Sequence, residues 1–231
     1  MGKFKNIEVK PEILASLQAA VNSTADVVFG WTKVQLPING ACKVVSLSII
    51  NRDHAAAKPA DFAGEIFFSK SDTYSMGAPN STASIKNNHD IFAHTTFAEA
   101  NFDAGLDLFS VATVDPDALV GVVLEPTSGA DYVYISMTTK TNNEPDLRSA
   151  LTVDGAVDSG TALTVADVDA TLVLAPGDVL HAEDDAVIGT VKTINSATSV
   201  TLESAISVAI ANNDVIHILS PITLIIGVEY N

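Results

Sequence analysis

The sequence is poor in several things, and each scarcity closes a class of function. It has one cysteine, Cys42, in 231 residues. An intramolecular disulfide and a cysteine-based zinc site are therefore excluded, and Cys42 reads as a small apolar strand residue. Basic residues are also scarce, 12 against 28 acidic ones for a net charge of −16. Phosphates would be repelled by such a surface, so no nucleic-acid partner is expected. Aromatic residues make up only 6% of the chain, thin material for an exposed glycan-stacking face. No apolar run approaches the roughly 18 residues of a membrane helix, so no membrane partner is expected either. The first ten residues carry Lys3, Lys5 and Lys10 with no apolar stretch after them. They are not expected to be a secretory signal, and folding in a host cytoplasm is the corresponding expectation. GxSxG, GxxxxGK, GxGxxG and HExxH are all missing, which leaves nucleophilic, phosphoryl-transfer, dinucleotide and zincin chemistry without a motif.

What is present is β-pattern. After a helix expected over residues 11–21, with Pro11 at its first position and Ile13, Leu14, Leu17 and Val21 on one face, short β-branched and aromatic runs alternate with turn residues. Strands are expected over 27–36, 41–50 (Val45, Leu47 and Ile49 on one face), 64–69, 106–114, 118–126 and 131–139. A long polar loop is expected over 71–103. Residues 140–145 read as a linker.

From 149 to 218 the texture changes: Lys192 is the one basic residue against ten acidic ones, and no aromatic residue occurs. Strands are expected at 163–165, 171–174, 179–181, 186–194, 199–202 and 215–219, with turns at Pro176-Gly177-Asp178 and Asn195-Ser196. Residues 221–230 return to the earlier character. The expected fold is all-β: an antiparallel β-sandwich, with the jelly roll as one way of connecting it, a short N-terminal helix and an inserted small β-barrel. The expected divisions are an N-terminal arm over 1–25, a sandwich over 26–145 plus 219–231, and an acidic barrel over 146–218. Pairing of residues 132–137 with 223–229 is expected to close the sandwich.

Few residues offer chemistry. Asp158-Ser159-Gly160-Thr161 is similar to the catalytic loop of aspartic proteases, in which two carboxylates share a proton. Asp-Ser-Gly is also an ordinary turn. The histidines His54, His89, His94, His181 and His217 are scattered, and His89, Asp90, His94 and Glu99 lie together in sequence without a metal-binding spacing. Glu183, Asp184 and Asp185, like Asp115 and Asp117, offer hard oxygen ligands but lack the alternation of a calcium loop. Trp31 reads as a core anchor. No catalytic, metal or cofactor-binding residue is assigned, no cofactor is expected, and the chain is read as a non-enzyme.

Residues 177–202, GDVLHAEDDAVIGTVKTINSATSVTL, resemble the small β-domains of many tailed-bacteriophage virion proteins, and the ending ITLIIGVEYN resembles the terminal strand of phage head-surface proteins. The resemblance implies a capsid cement or decoration protein: a structural virion protein on the outer surface of the head that bridges major capsid subunits. It implies the major capsid protein as partner and assembly as a homo-oligomer, a dimer or trimer. A tail, baseplate or adhesin protein is the alternative, and an aspartic-type hydrolase centred on Asp158 a minor one.

Overall fold

A computed structural model of the chain describes residues 2–18, 23–52, 61–85, 89–103, 110–142, 145, 147 and 149–231. The chain is all-β. Its strands are β1 (Lys3–Val9), β2 (Val27–Gln35), β3 (Cys42–Asn51), β4 (Gly64–Ser69), β5 (Ile91–Phe97), β6 (Ser110–Thr113), β7 (Val123–Leu124) and β8 (Tyr132–Thr139). There follow β9 (Thr152–Val153), β10 (Ala162–Ala166), β11 (Val179–His181), β12 (Val187–Ser196), β13 (Ser199–Leu202), β14 (His217–Ile218) and β15 (Ile222–Tyr230).

Two antiparallel sheets form the sandwich. One runs β1-β15-β3-β6, with β7 on the start of β3, and the other runs β2-β8-β4-β5. The pairs β1 with β15, β2 with β8, β3 with β6 and β4 with β5 are those of a single long hairpin rolled up on itself, which is the jelly roll. Leu47, Ile49, Leu224 and Ile226 of the first sheet and Ile66, Phe68, Val133, Ile135 and Met137 of the second are all fully buried in the shared core. Phe62, Phe97 and Phe102 add a ring cluster to it, with centroids 5.2–6.2 Å apart.

Between β8 and β15 the chain builds the sheet β14-β11-β12-β13-β10-β9. Its two edges meet: Ile216 N donates to Leu151 O (2.8 Å) and Val153 N to Asp214 O (3.0 Å). The interior is aliphatic, built around Leu163, Val165, Leu180, Val191, Val200 and Ile216.

Several expectations are corrected. The helix is one turn, α1 (Ala15–Gln18), and residues 11–14 ahead of it are non-helical, with Ile13 N donating to Leu219 O (2.8 Å); residues 19–21 lie outside the described residues. The first ten residues are not an arm, since β1 pairs along its whole length from Lys3 with Tyr230 to Val9 with Leu224. Residues 132–137 do not pair with 223–229: β8 lies between β2 and β4, and β15 between β1 and β3. The loop at 71–103 contains β5 and a 3-10 turn at Glu99–Asn101. Of the strand expected at 118–126 only the short β7 forms; the first two residues of that span end a 3-10 helix, Pro116–Leu119, which Asp115 caps by accepting from Asp117 N (2.9 Å). Residues 171–174 overlap a short helix, α2 (Ala170–Val173), capped in the same way by Asp169.

The face expected along β3 shifts by one residue at Val45. Gly227 faces Ser46 and Val228 faces Val44, which leaves Val45 as the extra residue of a β-bulge. Val44 is consequently buried with Leu47 and Ile49, while Val45 is 38% exposed.

Candidate functional site

The densest polar chemistry lies where the N-terminal segment, the end of β3 and the barrel meet. Arg52 follows β3, whose last residue, Asn51, pairs with Ile222 at the start of β15. Its guanidinium grips Asp178 with both terminal nitrogens, Nη1 to Oδ1 at 2.9 Å and Nη2 to Oδ2 at 2.7 Å. Nη2 also donates to Val173 O (2.8 Å). Both partners are largely buried, and Asp178 further accepts from Ala175 N (2.7 Å), so the bidentate pair is held from both sides.

The one-turn helix is pinned beside it. Ser16 donates from its amide (2.9 Å) and its hydroxyl (2.7 Å) to the two carboxylate oxygens of Asp185, in the tight turn between β11 and β12. These bonds, the amide's first, hold the Asp185 carboxyl below its ordinary value. Gln18, buried, donates from Nε2 to Ile13 O (2.6 Å) and Ile218 O (2.8 Å). That fixes the amide's orientation and turns Oε1 toward His217 Nδ1, 3.3 Å away. His217 Nδ1 must then carry the proton. His181 stands directly opposite His217 across β11 and β14, and its own Nδ1 donates to Asp185 O (3.0 Å). Both rings are more than nine-tenths buried. The Nε2 of His181 is buried with no partner among the described residues. Burial lowers the pKa of His217; Glu183 and Asp185 pull it up, and His181 pushes it further down.

A second feature is a groove of about 560 Å³ lined by Lys10, Leu14, Leu17, Trp31, Lys33 and Pro79 among others. The register of β2 shifts between Phe29 and Thr32, and Trp31 sits at that irregularity. Trp31 therefore lies outside the inter-sheet core. It packs half-buried against the small outer cluster of Val27, Phe67 and Met76 and donates Nε1 to Tyr74 O (2.7 Å). The expectation of a sandwich-core anchor is corrected accordingly.

The other candidates disperse. Asp158 is exposed and accepts from Ser159 Oγ (3.1 Å); Asp214, which lines the same shallow depression, is committed to Ala211 N (2.7 Å). That is turn chemistry, with no contact through which two carboxylates share a proton. His89 is exposed, His94 lies 3.8 Å from Glu65 and stacks on Phe67, Asp90 accepts from Ser71 Oγ, and Glu99 accepts from Thr141 Oγ1 (3.3 Å). His54 lies outside the described residues. Asp184 closes its own turn by accepting from Ala186 N (3.1 Å). Among the described residues no group of three or more His, Cys, Asp or Glu side chains is placed to hold a metal ion. Cys42 is buried, and burial raises its thiol pKa.

No protein-family model matches the chain, and no curated protein is significantly similar to it. Arg52, Ser16 and Gln18 were not singled out in the sequence. The one available signal was Arg52, a lone cation just after a long apolar strand.

Proposed function

We propose that the chain is a non-enzymatic structural protein of a virus particle, a cement or decoration protein on the outer surface of a tailed-bacteriophage head that bridges neighbouring major capsid subunits. The observation that carries the reading is the unequal division of surface between the two halves of the molecule. The segment 149–218 holds ten acidic residues and one basic one. Lys3, Lys5, Lys10 and Lys33 lie on the sandwich side, as do six of the eight large apolar side chains that stand exposed among the described residues, Phe4, Leu14 and Val120 among them; the other two, Leu172 and Val187, are on the barrel. Exposed apolar groups near cations favour contact with another protein, and a dense acidic coat favours water. The sandwich with the N-terminal segment is thus the gripping part, and the barrel is the solvent-facing part.

The jelly roll adds an analogy of fold alone, since the same architecture serves capsid proteins, lectins and cupins. A partner that binds only the assembled shell stabilises it by mass action, and oligomerisation into dimers or trimers multiplies weak contacts. Quantitative mass spectrometry of purified particles tests the reading. A copy number comparable to that of the major shell protein, with the chain in the head fraction, is expected. A few copies confined to the tail fraction would overturn it in favour of a tail or baseplate role.

A further inference from the structure

We propose that His217 is a pH-sensing latch: with its imidazole neutral it holds the one-turn helix, residues 15–18, against the barrel, and its protonation releases that turn. This inference concerns the chain's own conformations and does not depend on what the protein binds.

The neutral state is the one the geometry fits. Each ring uses its Nδ1–H on an oxygen, Gln18 Oε1 for His217 and Asp185 O for His181. Any added proton must therefore go to Nε2. His217 is 3% exposed, so a cation created there is largely desolvated. His181 faces it in register across β11 and β14 and adds no negative charge to offset the proton.

The charged groups around His217 are Glu183 and Asp185, from the turn after β11, and His181 on the neighbouring strand. The N-terminal segment brings only the neutral Ser16 and Gln18, and the Asp185 carboxylate is already engaged by Ser16. Relief comes from the one-turn helix, downstream of Ile13, which is itself packed in the sandwich core. A single helical turn has no stability of its own. Its attachments to the barrel and its exit are Ser16 to Asp185, and Gln18 to Ile218 O and His217.

The sign follows from linkage. The docked state binds the proton less readily than the released state, so docking is complete above the ordinary imidazole value of about 6.5 and is progressively lost below it. The proton shifts the docked-to-released ratio by about tenfold per pH unit within that window.

Amide hydrogen exchange on the full chain, corrected for intrinsic rates, tests the latch. Between pH 7.5 and 5.5, peptides covering 11–18 are expected to lose about tenfold or more of their protection, while β4 and β8 keep theirs. The emission of Trp31, the one tryptophan, should shift over the same span, because Leu14 and Leu17 line its groove. In His217→Asn the side-chain amide still donates to Gln18 but cannot titrate, and protection of 11–18 is expected to become nearly independent of pH. Unchanged wild-type protection, or full pH dependence retained in the variant, would overturn the proposal. Should the variant not fold, histidine NMR of the wild type decides: if His217 takes up its proton with no loss of protection in 11–18, the latch does not exist.

Discussion

The sandwich core is built around Phe29, Phe62, Phe68, Phe97 and Phe102, whereas the barrel core contains only leucine, isoleucine, valine and alanine. The difference follows from geometry. Sheets facing each other across a sandwich stand about 10 Å apart and need large side chains to fill the gap. A six-stranded sheet curled until its edges meet has a narrow interior that aliphatic residues fill. The aliphatic barrel core fits that narrow interior. The charges divide along the same line. Of the ten acidic residues in that segment, Asp178 is the one that is buried, and its partner Arg52 comes from the sandwich side. The two halves differ in what fills them and are joined by polar pins.

Breaking the pin should give the largest effect. Arg52→Ala leaves the Asp178 carboxylate buried without its cation, a change that costs about 3–5 kcal/mol. In chemical denaturation followed by both Trp31 emission and far-UV circular dichroism, the barrel is expected to unfold at lower denaturant than the sandwich, splitting the transition. Arg52→Met combined with Asp178→Leu removes both charges and should recover most of the loss. If the double variant is as unstable as the single one, the buried pair is not what joins the halves.

The cores should then respond separately. Phe62→Ala empties the ring cluster and is expected to cost about 3–5 kcal/mol, and Leu180→Ala in the barrel about 2–5 kcal/mol. Made in the Arg52→Ala background, each should move only its own transition. A shift of both by either substitution would show that the cores unfold as one unit whether or not the pin is present.

Much of this division is legible in the sequence. Strands β11 and β13 coincide with the spans read from turn chemistry and alternation, and Pro176-Gly177 punctuates the first; the turn read at Asn195-Ser196 lies instead at Ala197-Thr198, because β12 runs on through Asn195 to Ser196, which pairs with Ser199. The all-β class is equally plain. β1 is hidden because only Ile7 and Val9 of its inward row reach the core, while Lys3 and Lys5, on the same side, stay exposed. The histidine junction is less legible still. His181 and His217 are visible as residues, but their adjacency exists only once β14 lies beside β11. Gln18 carries no signal, since its role comes from two carbonyl groups that only the fold presents to it.

A smaller effect probes the second pin. Ser16→Ala removes one of two hydrogen bonds to Asp185 and keeps the backbone one, so the expected loss is about 0.5–1.5 kcal/mol, confined to docking of the segment. The depressed Asp185 pKa sets a second dependence, distinct from that of the histidines. Its contribution is present above the ordinary carboxylate value of about 3.9 and is lost as pH falls through the lower folded value. Exchange of 11–18 in Ser16→Ala should therefore be faster at pH 7.5 and should retain the histidine-range transition. A variant that abolished that transition would place the pH response at Asp185.

The smallest expected effect separates strand alternation from the bulge within the sandwich. Simple alternation along β3 would bury Val45 beside Leu47 and Ile49, whereas the extra residue opposite Gly227 and Val228 turns it outward and buries Val44 instead. Val45→Thr is accordingly expected to change stability by less than about 0.5 kcal/mol, as at other surface positions. Val44→Thr puts an unsatisfied hydroxyl into the core and should cost about 1–3 kcal/mol. Denaturation midpoints of the two variants order the positions directly. If Val45→Thr is the more damaging, the register of β3 against β15 slips by one residue and the bulge is absent; because the side-chain period of a strand is two, that slip would turn every buried residue of β3 before the bulge to the opposite face.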